Sequence, residues 1–437
     1  MKMLVLVCCG LGLLAGCGTT KESEDTTIVK IYPPERTLAF RETNTSLPKP
    51  TVGHPVIDTV FNTKISRVDS PEDDRTSYPK VQSWNADMSL IRITYRLYDA
   101  HTLKEKSYTK GQNGDESYAT LCSPNSGYFR WSNVDASVFY TIQSNGKLIK
   151  GKVLKDRISC DEVMEDFSDF EMISLGAGEG NIDYNDRYVL LMAKKENDTA
   201  LYLILYNLQT SKREWTKNLE GRTWEYIVNE KDASKNYWRS KEVDWISVSA
   251  SGKYIVLNEA NKHNYHDELS VYDINLSNQH LLQYRYHDKL YSEGGHGDIG
   301  YDMKGNEVYV EFLGGVPMHV FELAHPEKLG YAVLKSPYGG GHVSCRNTKR
   351  PGWCTITTQQ EGYNEIYSLK LDGTDSEIVE QFSQSHNKAY VDAKTNKTYP
   401  YPATFASPSP DGTKVIFTSR WQGEPESPKE VFIAEGL

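Results

Sequence analysis

The chain has 437 residues, a formal net charge of −10 and an isoelectric point near 5.7. An acidic chain with no basic stripe is excluded as a general nucleic-acid binder, although a local cluster of arginines can still draw an anionic ligand against the net field. Residues 52–437 exceed the usual size of one compact domain, so they form either two domains or one domain built from repeats.

Lys2 supplies a short positive segment, and Leu4 to Leu14 form an apolar run too short to span a bilayer, so residues 1–16 read as an export signal. The run ends in Leu14-Ala15-Gly16-Cys17, which resembles the lipobox of bacterial lipoproteins. That resemblance implies cleavage before Cys17 and diacylation of Cys17; an ordinary secretory signal beside a chance cysteine is the alternative. Gly18 rather than Asp follows it, which implies an outer-membrane lipoprotein facing the periplasm or the cell surface. A lipid anchor contributes about 0.8 kcal/mol per buried methylene, so no transmembrane helix is needed. Residues 17–51, rich in Thr, Glu, Lys and Pro, read as the lipidated cysteine and a flexible tether.

Four of the seven cysteines remain once Cys8, Cys9 and Cys17 are set aside. Cys345 and Cys354 flank the turn-like Lys349-Arg350-Pro351-Gly352, and an oxidising compartment would pair them as a hairpin staple. Cys122 and Cys160 are then left to each other, with four buried thiols as the alternative. Neither pair has a second Cys or His at zinc-ligand spacing.

The rest of the chain reads as all-β. Short alternating runs of Val, Ile, Tyr and Phe recur between Gly, Asn, Asp and Pro clusters, and 29 tyrosines are spread among them. A repeat of an opening turn, an apolar strand and a second amphipathic strand occurs seven times. The apolar strands begin near Leu90, Val138, Tyr188, Tyr254, Val308, Cys354 and Val415. This spacing predicts a seven-bladed β-propeller over 52–437, its last blade completed by an outer strand from Val56 to Val68. Closing the ring in this way hides the sheet edges. Eight blades, or two smaller β domains, are the alternatives.

In propellers the innermost strands line a channel and ligands sit at its mouth. The polar and aromatic residues just before those strands are therefore the candidates for substrate binding. They include Tyr78, Trp84, Asn85, Asp298, His342, Trp353, Tyr399, Arg420 and Trp421. His296 and His342 lie in matching settings, Gly294-Gly295-His296-Gly297 and Gly340-Gly341-His342, where glycine permits close backbone approach. Each histidine is either functional or only a strand-fixing hydrogen-bond donor. Gly176-Ala177-Gly178-Glu179-Gly180 is a poor phosphate loop because no helix pattern follows it.

The order of the openings resembles the oligogalacturonide lyases of the seven-bladed propeller type. The likeness runs from Val56–Ser70 through Tyr78 to Trp84-Asn85-Ala86-Asp87, then His296 six residues before Asp302, the Gly-His pair at His342, and the final run from Pro410 to Ser419. It covers most of Val56 to Glu435. The resemblance implies that His296 is a catalytic base and that His342 helps to hold a divalent metal. The family's His-Pro-His segment is met here by Tyr399-Pro400-Tyr401, and its charge-neutralising arginine falls near Glu268, so the metal set is incomplete and no cofactor is assigned.

Uronate lysis needs a base to remove a proton next to a carboxylate and a cation to disperse the charge that develops. His296 supplies the base in this reading. Arg346, Arg350 or Arg420 supplies a carboxylate clamp, and Tyr399 or Tyr401 returns a proton to the leaving oxygen. The alternative is a non-catalytic propeller that uses its Trp and Tyr faces to bind glycans or proteins. The expected partners are a carbohydrate and, through the lipid, a membrane, with no nucleic acid and a monomeric chain.

Overall fold

A computed structural model describes residues 30–33, 35–37, 46–106, 122, 128–143, 145–155, 157–228, 237–259, 268–292, 294–312, 317–334, 341–358, 364–372, 378–387, 390–392, 397–399, 404–422 and 427–437. The chain divides into two units, Met1–Lys30 and Ile31–Leu437. Only Lys30 of the first is among the described residues, so the export signal and Cys17 lie outside them. No helix among the described residues is long and apolar enough to cross a membrane.

The second unit is all-β, with helix nearly absent among the described residues apart from the short 3-10 turn Gly176–Gly178. Its strands pair antiparallel with their sequence neighbours. In chain order the sheets are Leu90–Ile93 with Arg96–Asp99; Arg130–Trp131 to Ile158–Asp166; Met172–Ser174 to Tyr237–Ser240; Val243–Val248 to His280–Leu281; Asp298–Tyr301 to Tyr331–Leu334; Gly341–Ser344 to Ile378–Gln384; and Ser407–Pro408 to Glu430–Gly436. Two small hairpins, Tyr284–Tyr286 with Lys289–Tyr291 and Tyr390–Asp392 with Lys397–Tyr399, stand apart.

The strand Tyr188–Lys194 is buried on both faces because it packs against two neighbouring sheets. Side chains alternate along a strand, and Tyr188–Lys194 shows the result. Val189, Leu191 and Ala193 join Val138, Tyr140 and Ile142 of the preceding sheet. Tyr188, Leu190 and Met192 join Ile246, Ile255 and Leu257 of the following one. The same arrangement continues to the end of the chain, where Ile416, Val431 and Ile433 pack against Ile91 and Ile93 of the first sheet.

The N-terminal stretch does add strands at the far end of the chain. Thr63–Arg67 pairs with Glu430–Gly436, Ile65 opposite Ala434, and Val56–Asp58 lies outside it. Glu35–Thr37 also pairs, with Ile378–Gln384. That strand falls inside the segment 17–51 that composition reads as a tether, and the compact unit reaches back to Ile31. Gly305 and Gly412 sit in turns of Lys304-Gly305-Asn306 and Asp411-Gly412-Thr413, with φ of 84° and 71° that favour glycine. Both expected disulfides, Cys345–Cys354 and Cys122–Cys160, are formed.

Candidate functional site

His296 and His342 meet. His342 lies in the strand Gly341–Ser344 opposite Thr357, and the amide of Val343 donates to the carbonyl of His296 at 3.0 Å. The two rings are 4.5 Å apart, centroid to centroid. The neighbouring glycines allow this approach: a Cβ on Gly297 would strike the Tyr309 hydroxyl and the Val310 carbonyl, and one on Gly341 would strike the Thr357 carbonyl and the Phe312 ring.

A segment that pairs with no strand carries the third member. Residues 78–82 are held across the inner strands by hydrogen bonds from Ser344 Oγ to the Pro79 carbonyl, from Asn181 Nδ2 to the Lys80 carbonyl, and from Gln82 Nε2 to the Arg346 carbonyl. This places Tyr78 Oη 2.9 Å from His296 Nδ1. The Tyr78 ring stands edge-on to His342 at 5.3 Å, and Phe405 packs against both. Burial pushes the Tyr78 phenol well above its usual range, so it stays protonated. Burial, reinforced by His296 and Lys80, lowers His342 to about 3, which keeps that imidazole neutral at ordinary pH.

Charge is concentrated around this cluster. Lys80 is buried, 2.9 Å from Glu179 and 3.6 Å from the centre of the Trp245 ring. Arg130 donates to the carbonyls of Phe129, Gly178 and Gly180 and to the Asn181 side chain, all neutral acceptors. The 176–180 loop therefore presents carbonyls to a guanidinium rather than amides to a phosphate. Burial, with Arg92 and Arg346 nearby, lowers Arg130 to about 9.

The structure disperses the other sequence-predicted residues. Asp298 and Arg346 form a buried two-pronged pair at 3.0 Å, and Asp298 also accepts from the Cys345 amide. Arg350 forms a second such pair with Glu380 at 2.5 Å, its guanidinium between the rings of Tyr32 and Trp353. Arg346 and Arg350, two of the three expected clamps, thus already grip a carboxylate of the protein. Trp84 and Trp421 are core residues, the latter stacked on His386 at 4.0 Å. Asn85 closes a turn, accepting from the Leu90 amide and donating to the Ala136 carbonyl. Arg420 donates to the Ser427 carbonyl. Tyr399 lies in a small hairpin with its side chain undescribed, and Tyr401 is outside the described residues.

Residues that the sequence did not single out complete the site. A cleft of about 330 Å³ opens beside the histidine cluster, lined by Arg75, Ser77, Tyr78, Arg92, Tyr95 and Phe405 among others. The one signal for Arg92 is its position in the apolar strand Leu-Ile-Arg-Ile. Below, Lys80, Trp245, Asp298 and Arg346 enclose a void of about 10 Å³, room for about one water at most. Among the described residues no three His, Cys, Asp or Glu side chains gather as a metal site. His342 faces aromatic rings and feels the Lys80 ammonium, so these residues do not fit a divalent cation.

Two solved structures share the architecture. One is the oligogalacturonate lyase of Vibrio parahaemolyticus, 11% identical, covering 92% of this chain and 98% of its own, with a TM-score of 0.53. The other is an oligogalacturonate lyase in complex with manganese, 12% identical, covering 93% and 98%, with a TM-score of 0.56. No protein-family model matches the chain, and no curated protein matches its sequence. At such identity the likeness establishes the fold, which is a β-propeller.

Proposed function

We propose that the chain is a lipid-anchored, exported, seven-bladed β-propeller that binds uronate-containing oligo- or polysaccharides at one end of its channel and cleaves them by β-elimination. The observation that carries this reading is the Tyr78–His296–His342 cluster opening on a cleft of ligand size. The fold shared with two oligogalacturonate lyases supports the substrate class. Seven successive sheets, each packed on the next and the last on the first, support seven blades closed by the N-terminal strands.

His296 is the base. With Tyr78 accepting from Nδ1–H, the lone pair at Nε2 takes the carbon-bound proton next to the substrate carboxylate. The electrons left behind form a carbon–carbon double bond, the adjacent carbon–oxygen bond breaks, and the leaving oxygen takes a proton. The neutral phenol of Tyr78 has that proton to give.

A second reading keeps the glycan and omits the cleavage. It is favoured by the donor set around His342, which does not suit a metal, and by the engagement of Arg346 and Arg350 with protein carboxylates. Ultraviolet absorbance of unsaturated uronates, followed with a panel of polyuronates and algal polysaccharides, separates the two. The lyase reading expects a signal that His296→Ala abolishes. Glycan binding with no signal from any substrate establishes the binding module instead.

A further inference from the structure

We infer that the cleft beside Tyr78 is an oxyanion subsite in which Arg75 and Arg92 hold the carboxylate or sulfate group of an acidic saccharide. This rests on the carbohydrate reading above and locates the cation that reading requires.

The two arginines reach the cleft from different stretches of the chain. Arg75 comes from the segment leading to Tyr78, and Arg92 from the middle of Leu90–Ile93. Both line the cleft, and no Asp or Glu is among its described lining residues. Arg92 is only 2% exposed. Its guanidinium donates to the Ser77 hydroxyl at 3.0 Å and lies over the Phe129 ring at 4.5 Å. Arg75 is exposed at the rim.

The surroundings strengthen the positive field. Lys429 has its pKa lowered by burial and further by the nearby charges of Arg420 and Arg75, while Asp73 acts in the opposite direction. Like charges gathered at one rim of a chain carrying −10 create a local potential opposite to the net field. The remaining walls suit a sugar. Tyr78, Tyr95 and Phe405 offer ring faces for the C–H face of a pyranose, and Ser77 and Thr94 offer hydroxyls. A guanidinium matches a carboxylate or sulfate through paired hydrogen bonds. Tyr78 belongs to both this cleft and the histidine cluster, so an oxyanion held here brings its sugar alongside His296.

The test is calorimetric titration of the full-length protein with an oligogalacturonate, its methyl ester, a sulfated oligosaccharide and inorganic sulfate. The subsite predicts that the acidic saccharides bind more tightly than the ester, and that Arg75→Gln weakens them by about tenfold while leaving the ester unchanged. The oligogalacturonate and sulfated arms identify which oxyanion the cleft prefers. Arg75 is exposed, so its variant folds; circular dichroism of Arg92→Lys shows whether that second variant can be read in the same way. Acidic saccharide binding indifferent to Arg75→Gln, or an ester that binds equally well, overturns the subsite and leaves the carbohydrate reading standing. Sulfate binding weakened by Arg75→Gln, with no saccharide bound, keeps the subsite and removes the carbohydrate reading. No binding by any of the four probes overturns the subsite.

Discussion

Two groups of arginines lie near the inner strands, and their partners differ. Arg346 and Arg350 follow His342 closely in sequence, and each is locked onto a carboxylate, Asp298 or Glu380. Arg75 and Arg92 lie far from both histidines in sequence but line the cleft that shares Tyr78 with them. Arg346 and Asp298 tie two sheets together and Arg350 and Glu380 brace a single one, whereas the second group lines a cleft that a ligand can enter. Proximity along the chain therefore misidentifies the clamp. A guanidinium already making two hydrogen bonds to a buried carboxylate has no fork left for a substrate.

The largest expected effect tests the cation-rich end at its histidine. The folded pKa of His342, about 3, lies below the unfolded value near 6.5. The unfolded chain therefore binds the extra proton first, and stability falls as pH drops from about 6.5 toward 3. The slope is about 1.4 kcal/mol per pH unit, for a total on the order of 5 kcal/mol. Urea unfolding across this range should show a steeper loss in the native protein than in His342→Gln; equal slopes would remove the buried neutral imidazole from the account.

The arginines bound to protein carboxylates are tested next. Asp298→Ala leaves Arg346 buried without its carboxylate and the Cys345 amide without its acceptor, and should cost about 3–4 kcal/mol in the same assay. Removing the Cys345–Cys354 link, which closes a nine-residue separation, should cost about 2.7 kcal/mol by chain entropy. Arg75→Gln completes the contrast, with a change in stability within about 0.5 kcal/mol because it alters an exposed side chain. A large loss there would mean that Arg75 belongs with the arginines bound to protein carboxylates after all.

Much of the architecture is legible in the sequence, and much of the site is not. The apolar strands beginning at Tyr188 and Val308 announce themselves because both of their faces are buried. The glycines around His296 and His342 signal close approach, and the structure brings those histidines together. The tryptophans mislead, since Trp84 and Trp421 fill space between sheets, and an aromatic residue at a strand opening looks the same in sequence whether it faces a core or a channel. The segment 78–82 gives no periodic signal because side chains and carbonyls of distant strands hold it. Lys80 and Phe405 enter the site by way of such contacts alone.

By itself the sequence determined the local order of the β unit: alternating strands, turns that need glycine at positive φ, and a cysteine pair across one hairpin. These depend on residues within a few positions of one another, where backbone sterics and side-chain alternation act. Only the tertiary structure decided which charges cancel and which face a ligand. Tyr78 and His296 are 218 residues apart, Lys80 and Glu179 are 99 apart, and Arg346 and Asp298 are 48 apart. Electrostatic attraction and hydrogen bonding depend on separation in space, and the stacking of one sheet on the next sets that separation.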